Sequence, residues 1–218
     1  MKQNLTELVF VLDKSGSMAG LESDTIGGYN SLLEKQKKED GEAVVSTVLF
    51  NDEVDLIHDR VNLSQIEKLT DKEYFVGGCT ALLDAVGTTI KRVNKIRNEL
   101  KEEYIPSKTL FVIITDGYEN ASKEYSYQKI KEMIQKQKEA GWEFIFLGAN
   151  IDAIEEASKV GISEDRAVSY CCDPIGVDIN YCALDCAISS MRKTGMVEES
   201  WSLAIGRDFD ERGKKGAK

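Results

Sequence analysis

Leu8-Val9-Phe10-Val11-Leu12-Asp13-Lys14-Ser15-Gly16-Ser17 joins an unbroken apolar run to a carboxylate and two hydroxyls at alternate positions. A strand buried on both faces of a parallel sheet reads as such a run. It delivers the residues that follow it to the carboxyl edge of the sheet, where open α/β sheets bind ligands. Asp13, Ser15 and Ser17 therefore offer three hard oxygen donors from one turn, the donor type that an octahedral cation such as Mg²⁺ takes. Asp and Ser are equally good helix caps, and a helix is expected to start near Leu21, so the turn alone does not decide between a metal site and a cap.

Two distant segments bear on that choice. Leu110-Phe111-Val112-Ile113-Ile114-Thr115-Asp116-Gly117 is a second buried-strand run ending in a carboxylate and a glycine. Gly77-Gly78-Cys79-Thr80-Ala81-Leu82 places a flexible glycine pair before a threonine at the start of a long helical pattern. An acidic strand end alone reads as a turn, and Gly-Gly-x-Thr alone reads as a loop and cap. Together they bring two carboxylates and three hydroxyls to the same end of one sheet.

Between these segments strand and helix patterns alternate. Strands are expected at Leu8–Leu12, Ala43–Phe50, Val54–Arg60, Leu110–Ile114, Trp142–Leu147 and Ala167–Cys171, with Asn51-Asp52 turning the second into an antiparallel hairpin with the third. Helices are expected over about 24–38, 64–69 (capped by Ser64), 83–100, around Tyr127–Ile134, over 153–160 and over about 178–194. This is a Rossmann-like α/β fold: an open, mostly parallel six-stranded sheet with one antiparallel strand and helices on both faces. The charged, glycine-bearing end from about Gly206 reads as a mobile tail.

The chain resembles the von Willebrand factor A domain family over roughly residues 5 to 190. The family's metal-ion-dependent adhesion site combines an Asp-x-Ser-x-Ser loop with a distant Thr and a distant Asp. The resemblance assigns those places to Asp13, Ser15, Ser17, Thr80 and Asp116; Gly16, Met18 and Gly117 also fit family usage. One departure is visible, because the usual Gly-Gly-Thr is interrupted here by Cys79. That bears on the loop geometry at Thr80, not on the presence of its hydroxyl.

The resemblance implies a domain over 1–195, with 196–218 as a C-terminal extension, and a bound Mg²⁺ or Mn²⁺. It also implies a non-enzymatic role in which the cation accepts an Asp or Glu carboxylate from a partner protein. The charge count agrees: two carboxylates neutralise a divalent cation without exceeding its charge. In some family members ligand binding moves the last helix, here about 178–194. The expectation is an intracellular, cytoplasmic protein of bacterial or phage origin.

Bulk composition narrows the alternatives. The 218 residues suffice for one substantial core, and the hydrophobic and charged fractions of 42% and 30% are those of an ordinary globular protein. A formal charge of −10 argues against nucleic acid and against anionic membrane surfaces. No stretch approaches the ~18 apolar residues of a membrane span, and the first residues carry no secretory pattern. The five cysteines lack a Cys-x-x-Cys, and free, buried, hydrophobe-like thiols account for them better than a zinc site.

A metal-dependent hydrolase is the main rival reading. The Asp-x-Asp of phosphoryl-transfer hydrolases of the haloacid dehalogenase type is missing here, since Ser15 takes the second position; no P-loop occurs. His58, the only histidine, falls on the expected hairpin strand with an ordinary hydrogen bond, away from Ser15 and Ser17. A metal-free scaffold subunit of an AAA ATPase or stress-response complex is a third reading. Glu119, Asn120, Ser122, Asp84, Met18 and Leu21 lie near the expected site, each with an ordinary role as cap, solvated residue or packing residue.

Overall fold

The structure is a computed structural model that describes residues 1–213. Its strands are β1 (Lys2–Asp13), β2 (Glu42–Phe50), β3 (Val54–Asn62), β4 (Pro106–Thr115), β5 (Trp142–Ala149) and β6 (Ala167–Tyr170). They form one sheet in the order β3-β2-β1-β4-β5-β6, with every neighbouring pair parallel except β2 and β3. The one antiparallel strand expected is β3, at the edge of the sheet. The helices are α1 (Glu22–Gln36), α2 (Leu82–Glu99), α3 (Tyr127–Glu139), α4 (Ala153–Lys159), α5 (Pro174–Thr194) and α6 (Leu203–Arg212).

Strand geometry explains the two-sided core. Successive side chains of β1 point to opposite faces. Leu8, Phe10 and Leu12 join a cluster with Tyr29 and Leu32 of α1, Leu184 and Ile188 of α5, and Ile205 of α6. Val9 and Val11 join a second cluster with Val86 and Ile90 of α2, Ile130 and Ile134 of α3, and Ala157 of α4. The all-apolar run is thus the signature of a strand covered on both faces.

Three expectations are corrected. The helix expected over 64–69 is a single 3₁₀ turn, Leu63–Gln65, and its cap is Asn62, whose side chain accepts from Ser64 N. Ile66 and Leu69 are buried, so their apolar spacing reflects a packed loop and not a helix. The helix expected at about 178 starts at Pro174, because Asp173 caps it by accepting from Gly176 N and proline suits the first helical turn. It is also not the last helix. Where a mobile tail is expected from Gly206, α6 runs to Arg212, anchored by buried Trp201 and Ile205 and by Arg212 ion pairs to Asp173 and Asp208. Of the charges that mark a tail in the sequence, Arg212 pairs with Asp208 and also with Asp173; residues 214–218 of the expected tail lie outside the described residues. Among the described residues no helix is long and apolar enough to cross a membrane.

Candidate metal centre

The sheet order turns around at β1 and β4: the chain runs outward through β2 and β3 on one side and through β5 and β6 on the other. Loops leaving the carboxyl ends of β1 and β4 therefore part in opposite directions and leave a crevice, the usual ligand position in such sheets. Asp13 is the last residue of β1, and Asp116 directly follows β4. The Leu12–Ile114 register holds the two strand ends side by side.

The local turn is built on Asp13. Its Oδ1 accepts from Ser15 N at 2.7 Å and its Oδ2 from Thr115 Oγ1 at 2.6 Å. Ser15 Oγ and Ser17 Oγ are 3.1 Å apart, and Ser17 Oγ donates to Asp116 Oδ1 at 2.6 Å. Asp13, Ser15, Thr80 and Asp116 are buried, and Ser17 is exposed, so the cluster opens to solvent at one hydroxyl.

Thr80 arrives from the glycine loop, which is stitched to the first turn. Gly77 N donates to Lys14 O at 2.9 Å, Gly16 N to Gly78 O at 3.1 Å, and Asn51 Nδ2 to Gly77 O at 2.8 Å. Thr80 N donates to Asn120 Oδ1 at 2.9 Å, and Asn120 N donates back to Thr80 O at 3.0 Å. A Cβ placed on Gly117 would lie 3.3 Å from Thr80 Oγ1 and 3.5 Å from Ser17 Oγ, which puts both hydroxyls against the same glycine. The structure thus gathers all five expected residues at one sheet edge.

Cys79 is accommodated outward. It is exposed, and its N–H donates to Asp52 Oδ1 at 3.2 Å. Gly78 makes the loop possible: its φ is +76°, and a Cβ there would meet Asp52 Oδ1 at 1.8 Å. Thr80 keeps an inward place despite the inserted residue.

Neither carboxylate has a basic partner: among the described residues no Lys or Arg forms an ion pair with Asp13 or Asp116. Lys14, next in the chain, is turned away and pairs with Asp55 at 2.7 Å. Burial raises the Asp13 carboxyl above its ordinary value against the pull of Thr115 and Ser15 hydrogen bonds. Burial also raises Asp116, the Ser17 hydrogen bond lowers it, and the nearby Asp13 charge raises it again. Two close, buried, uncompensated carboxylates with three hydroxyls form an all-oxygen donor set that fits a hard divalent cation. Among the described residues no group of three or more His, Cys, Asp or Glu stands together, so the set relies on hydroxyls.

The sequence reading missed several supports. Thr115 is a lone hydroxyl ending an apolar strand, and that position was the available signal. Tyr74 OH donates to Asp13 O at 2.6 Å from a loop with no local signature. Asn51 and Asp52, read only as a turn, hold the glycine loop. Cys172 Sγ lies 3.8 Å from Asp116 Oδ2. Other residues take supporting roles: Glu119 accepts from Leu83 N and Ser122 N, Asp84 accepts from backbone N–H groups of residues 123–125, and Met18 and Leu21 are buried packing residues. Ser126, not Ser122, caps α3. Of the cysteines read as buried, Cys79, Cys182 and Cys186 are exposed, because their helix and loop positions face solvent.

Comparison with known proteins now adds the lineage. The profile of the von Willebrand factor type A domain matches residues 7–171. The chain belongs to that family.

Solved structures with the same fold include a von Willebrand factor type A protein from Catenulispora acidiphila. It is 13% identical with a TM-score of 0.59, the match covering 87% of this chain and 43% of that one. Proximal thread matrix protein 1 from the mussel byssus, solved with a zinc-occupied MIDAS motif, is 14% identical with a TM-score of 0.57 over 84% of this chain and 45% of that one. Manganese-loaded TRAP protein from Plasmodium vivax is 16% identical with a TM-score of 0.56 over 82% and 73%. The chain spans less than half the length of the mussel and Catenulispora chains. At these identities the likeness is one of fold. No curated protein matches the chain.

Proposed function

We propose that this von Willebrand factor type A protein is a non-enzymatic, metal-dependent protein-binding module. Asp13, Ser15, Ser17, Thr80 and Asp116 would hold Mg²⁺ or Mn²⁺, and an Asp or Glu of a partner protein would complete the coordination. The observation that carries this reading is the pair of buried carboxylates with hydroxyl donors and no basic partner at the switch point of the sheet. That structures of the same fold have been solved with a zinc-occupied MIDAS motif and in a manganese-loaded form supports a metal-binding role.

When bound, the cation supplies a positive centre for a charge-assisted, directional contact with a carboxylate. The chain's own residues prepare that contact. Thr115 and the Ser15 N–H fix the Asp13 carboxylate, Ser17 orients Asp116, and the Gly77-Gly78 loop sets Thr80 against Gly117. Exposed Ser17 marks the side from which a partner reaches the site.

The non-enzymatic reading is supported by the placement of the single histidine. His58 is buried in the β2–β3 hairpin, where its Nδ1 lies 3.0 Å from Thr47 Oγ1. A cytoplasmic, bacterial or phage-borne protein remains part of the proposal.

Calorimetric titration with Mg²⁺ and Mn²⁺, on wild type and Asp13→Ala, tests the reading. One saturable site in wild type, lost in the variant and tightened by added acetate, is expected. Wild type that takes neither cation, with or without acetate, overturns it.

A further inference from the structure

Helices α2 and α3 pack side by side on one face of the sheet, where Val86 and Ile90 share a core with Ile130 and Ile134. Gly87 admits the ring of Tyr125 against α2, since a Cβ there would meet that ring at 2.6 Å. The two helices frame a single cavity of about 790 Å³, and Tyr125, Ile90 and Met133 are its apolar members.

The polar members of this groove are left without partners by the fold. Lys91, Lys95 and Lys136 are exposed, and among the described residues none of them forms an ion pair. Gln137 is only 5% exposed, yet among the described residues its side chain makes no hydrogen bond. A buried amide in that state costs free energy until water or a ligand serves it. Glu132, the one acid lining the groove, lies 4.0 Å from Lys129. Four lysines therefore stand against one glutamate, in a chain whose formal charge is −10.

The cations are spread along the groove. Lys91 and Lys95 are separated by about 6 Å of rise on α2, and Lys129 and Lys136 by about 10 Å on α3. Such rows match carboxylates strung along a segment better than one compact anion, which would need donors converging on a point. Nucleic acid also strings its charges, but its affinity rests on phosphate neutralisation, which the overall negative charge opposes and the apolar members do not serve.

We infer that the α2–α3 groove docks an acidic segment of a partner protein, with carboxylates on the lysines and apolar side chains against Tyr125 and Met133. Charge complementarity of this kind steers encounter and fixes register. The surface is separate from the metal centre and needs no cation.

Calorimetry in EDTA tests it with acetyl-Glu-Leu-Glu-Glu-Leu-Leu-Glu-Glu-Leu-Glu-amide and the same peptide carrying Gln for every Glu. At about 50 mM salt the acidic peptide should bind about tenfold or more tighter, and about 0.3 M salt should remove most of that advantage. A Lys95→Glu, Lys136→Glu double variant should lose the advantage. Lys72→Glu, at an exposed lysine outside the groove, should keep it. Equal binding of the two peptides, an advantage that survives the double variant, or a thymidine decanucleotide that binds as tightly as the acidic peptide overturns the inference. So does a wild-type dimer in sedimentation that the double variant lacks, which would seat a second copy of the chain in the groove. Because every arm is free of divalent cation, each of these failures leaves the metal reading standing.

Discussion

Strand β1 carries two buried acids, Glu7 at its middle and Asp13 at its end, and their surroundings differ in kind. Glu7 is fully buried, but Arg97 Nη1 lies 3.0 Å from its Oε2 and Arg60 Nε 3.1 Å from its Oε1. Arg60 reaches inward from an irregular stretch of β3 where its φ is +54°, a bulge that re-aims the side chain. Arg97 comes from α2 and also bonds Thr109 Oγ1 at 2.8 Å. Asp13 is just as buried and has only hydroxyl and N–H donors, with Asp116 close by. Burial raises both carboxyls; at Glu7 the guanidinium charges pull back, while at Asp13 only hydrogen bonds do. Burial therefore does not separate a structural acid from a binding one. The separation lies in whether the fold supplies the counter-charge.

Exchanging the two acids' neutral variants should break the molecule in opposite ways. Asp13→Ala should lose cation binding by well over the roughly 10–100-fold that removing a supporting group costs, with little change in metal-free melting. Glu7→Gln should bind Mn²⁺ as wild type does but lose about 3–5 kcal/mol of stability, because it strands Arg60 and Arg97 in the interior. Calorimetry and urea unfolding on both variants measure the contrast. A Glu7→Gln protein of wild-type stability would show that the arginines find water and that the pairing is not structural.

How much of this contrast was legible follows from sequence distance. Asp13, Ser15 and Ser17 are alternate residues, and Asp116 and Thr80 each end or begin a strongly patterned element, so local period and a terminal polar residue exposed them. The strands were legible for the same reason, since Leu8–Leu12 and Leu110–Ile114 must be covered on both faces. Glu7 was not, because its partners come from positions 60 and 97 and neither spacing announces a contact. Tyr74 and Asn51 reach the site from loops whose course is set by tertiary packing. The misread helix at 64–69 has the same origin: Ile66 and Leu69 pack a loop at a spacing that mimics a helical face. Helix α6 hid behind its charges, of which Arg212 pairs with Asp208 and with Asp173 in the fold.

A pH series sharpens the comparison more gently. The Asp13 and Asp116 carboxyls lie above their ordinary value of 3.8 when folded. An acid so raised contributes stability that is complete below its unfolded pKa and is lost as pH rises through its folded pKa. In EDTA, the melting temperature of wild type should therefore match that of an Asp13→Asn, Asp116→Asn double variant near about pH 4 and fall behind it as pH rises toward about 7. Saturating Mg²⁺ should close or reverse the gap in wild type alone. A gap that stays constant with pH would mean that the charges are already compensated within the fold.

The smallest expected effect is read from a thiol. Cys172 lies against Asp116, and its pKa is pushed up to about 11, chiefly by burial and then by the Asp116 charge. Cys79, Cys182 and Cys186 are exposed and should react rapidly with a disulfide reagent at pH 8, while Cys171 and Cys172 lag. Neutralising Asp116 with Mg²⁺ removes the largest charge influence on Cys172, so its reaction should quicken by about two- to fivefold while exposed Cys182 on α5 keeps its rate. Mass mapping of alkylated peptides assigns each rate to its cysteine. An acceleration confined to Cys172 would report directly that the charge at this end of β1 is balanced from outside the fold, and an unchanged rate would place the cation elsewhere.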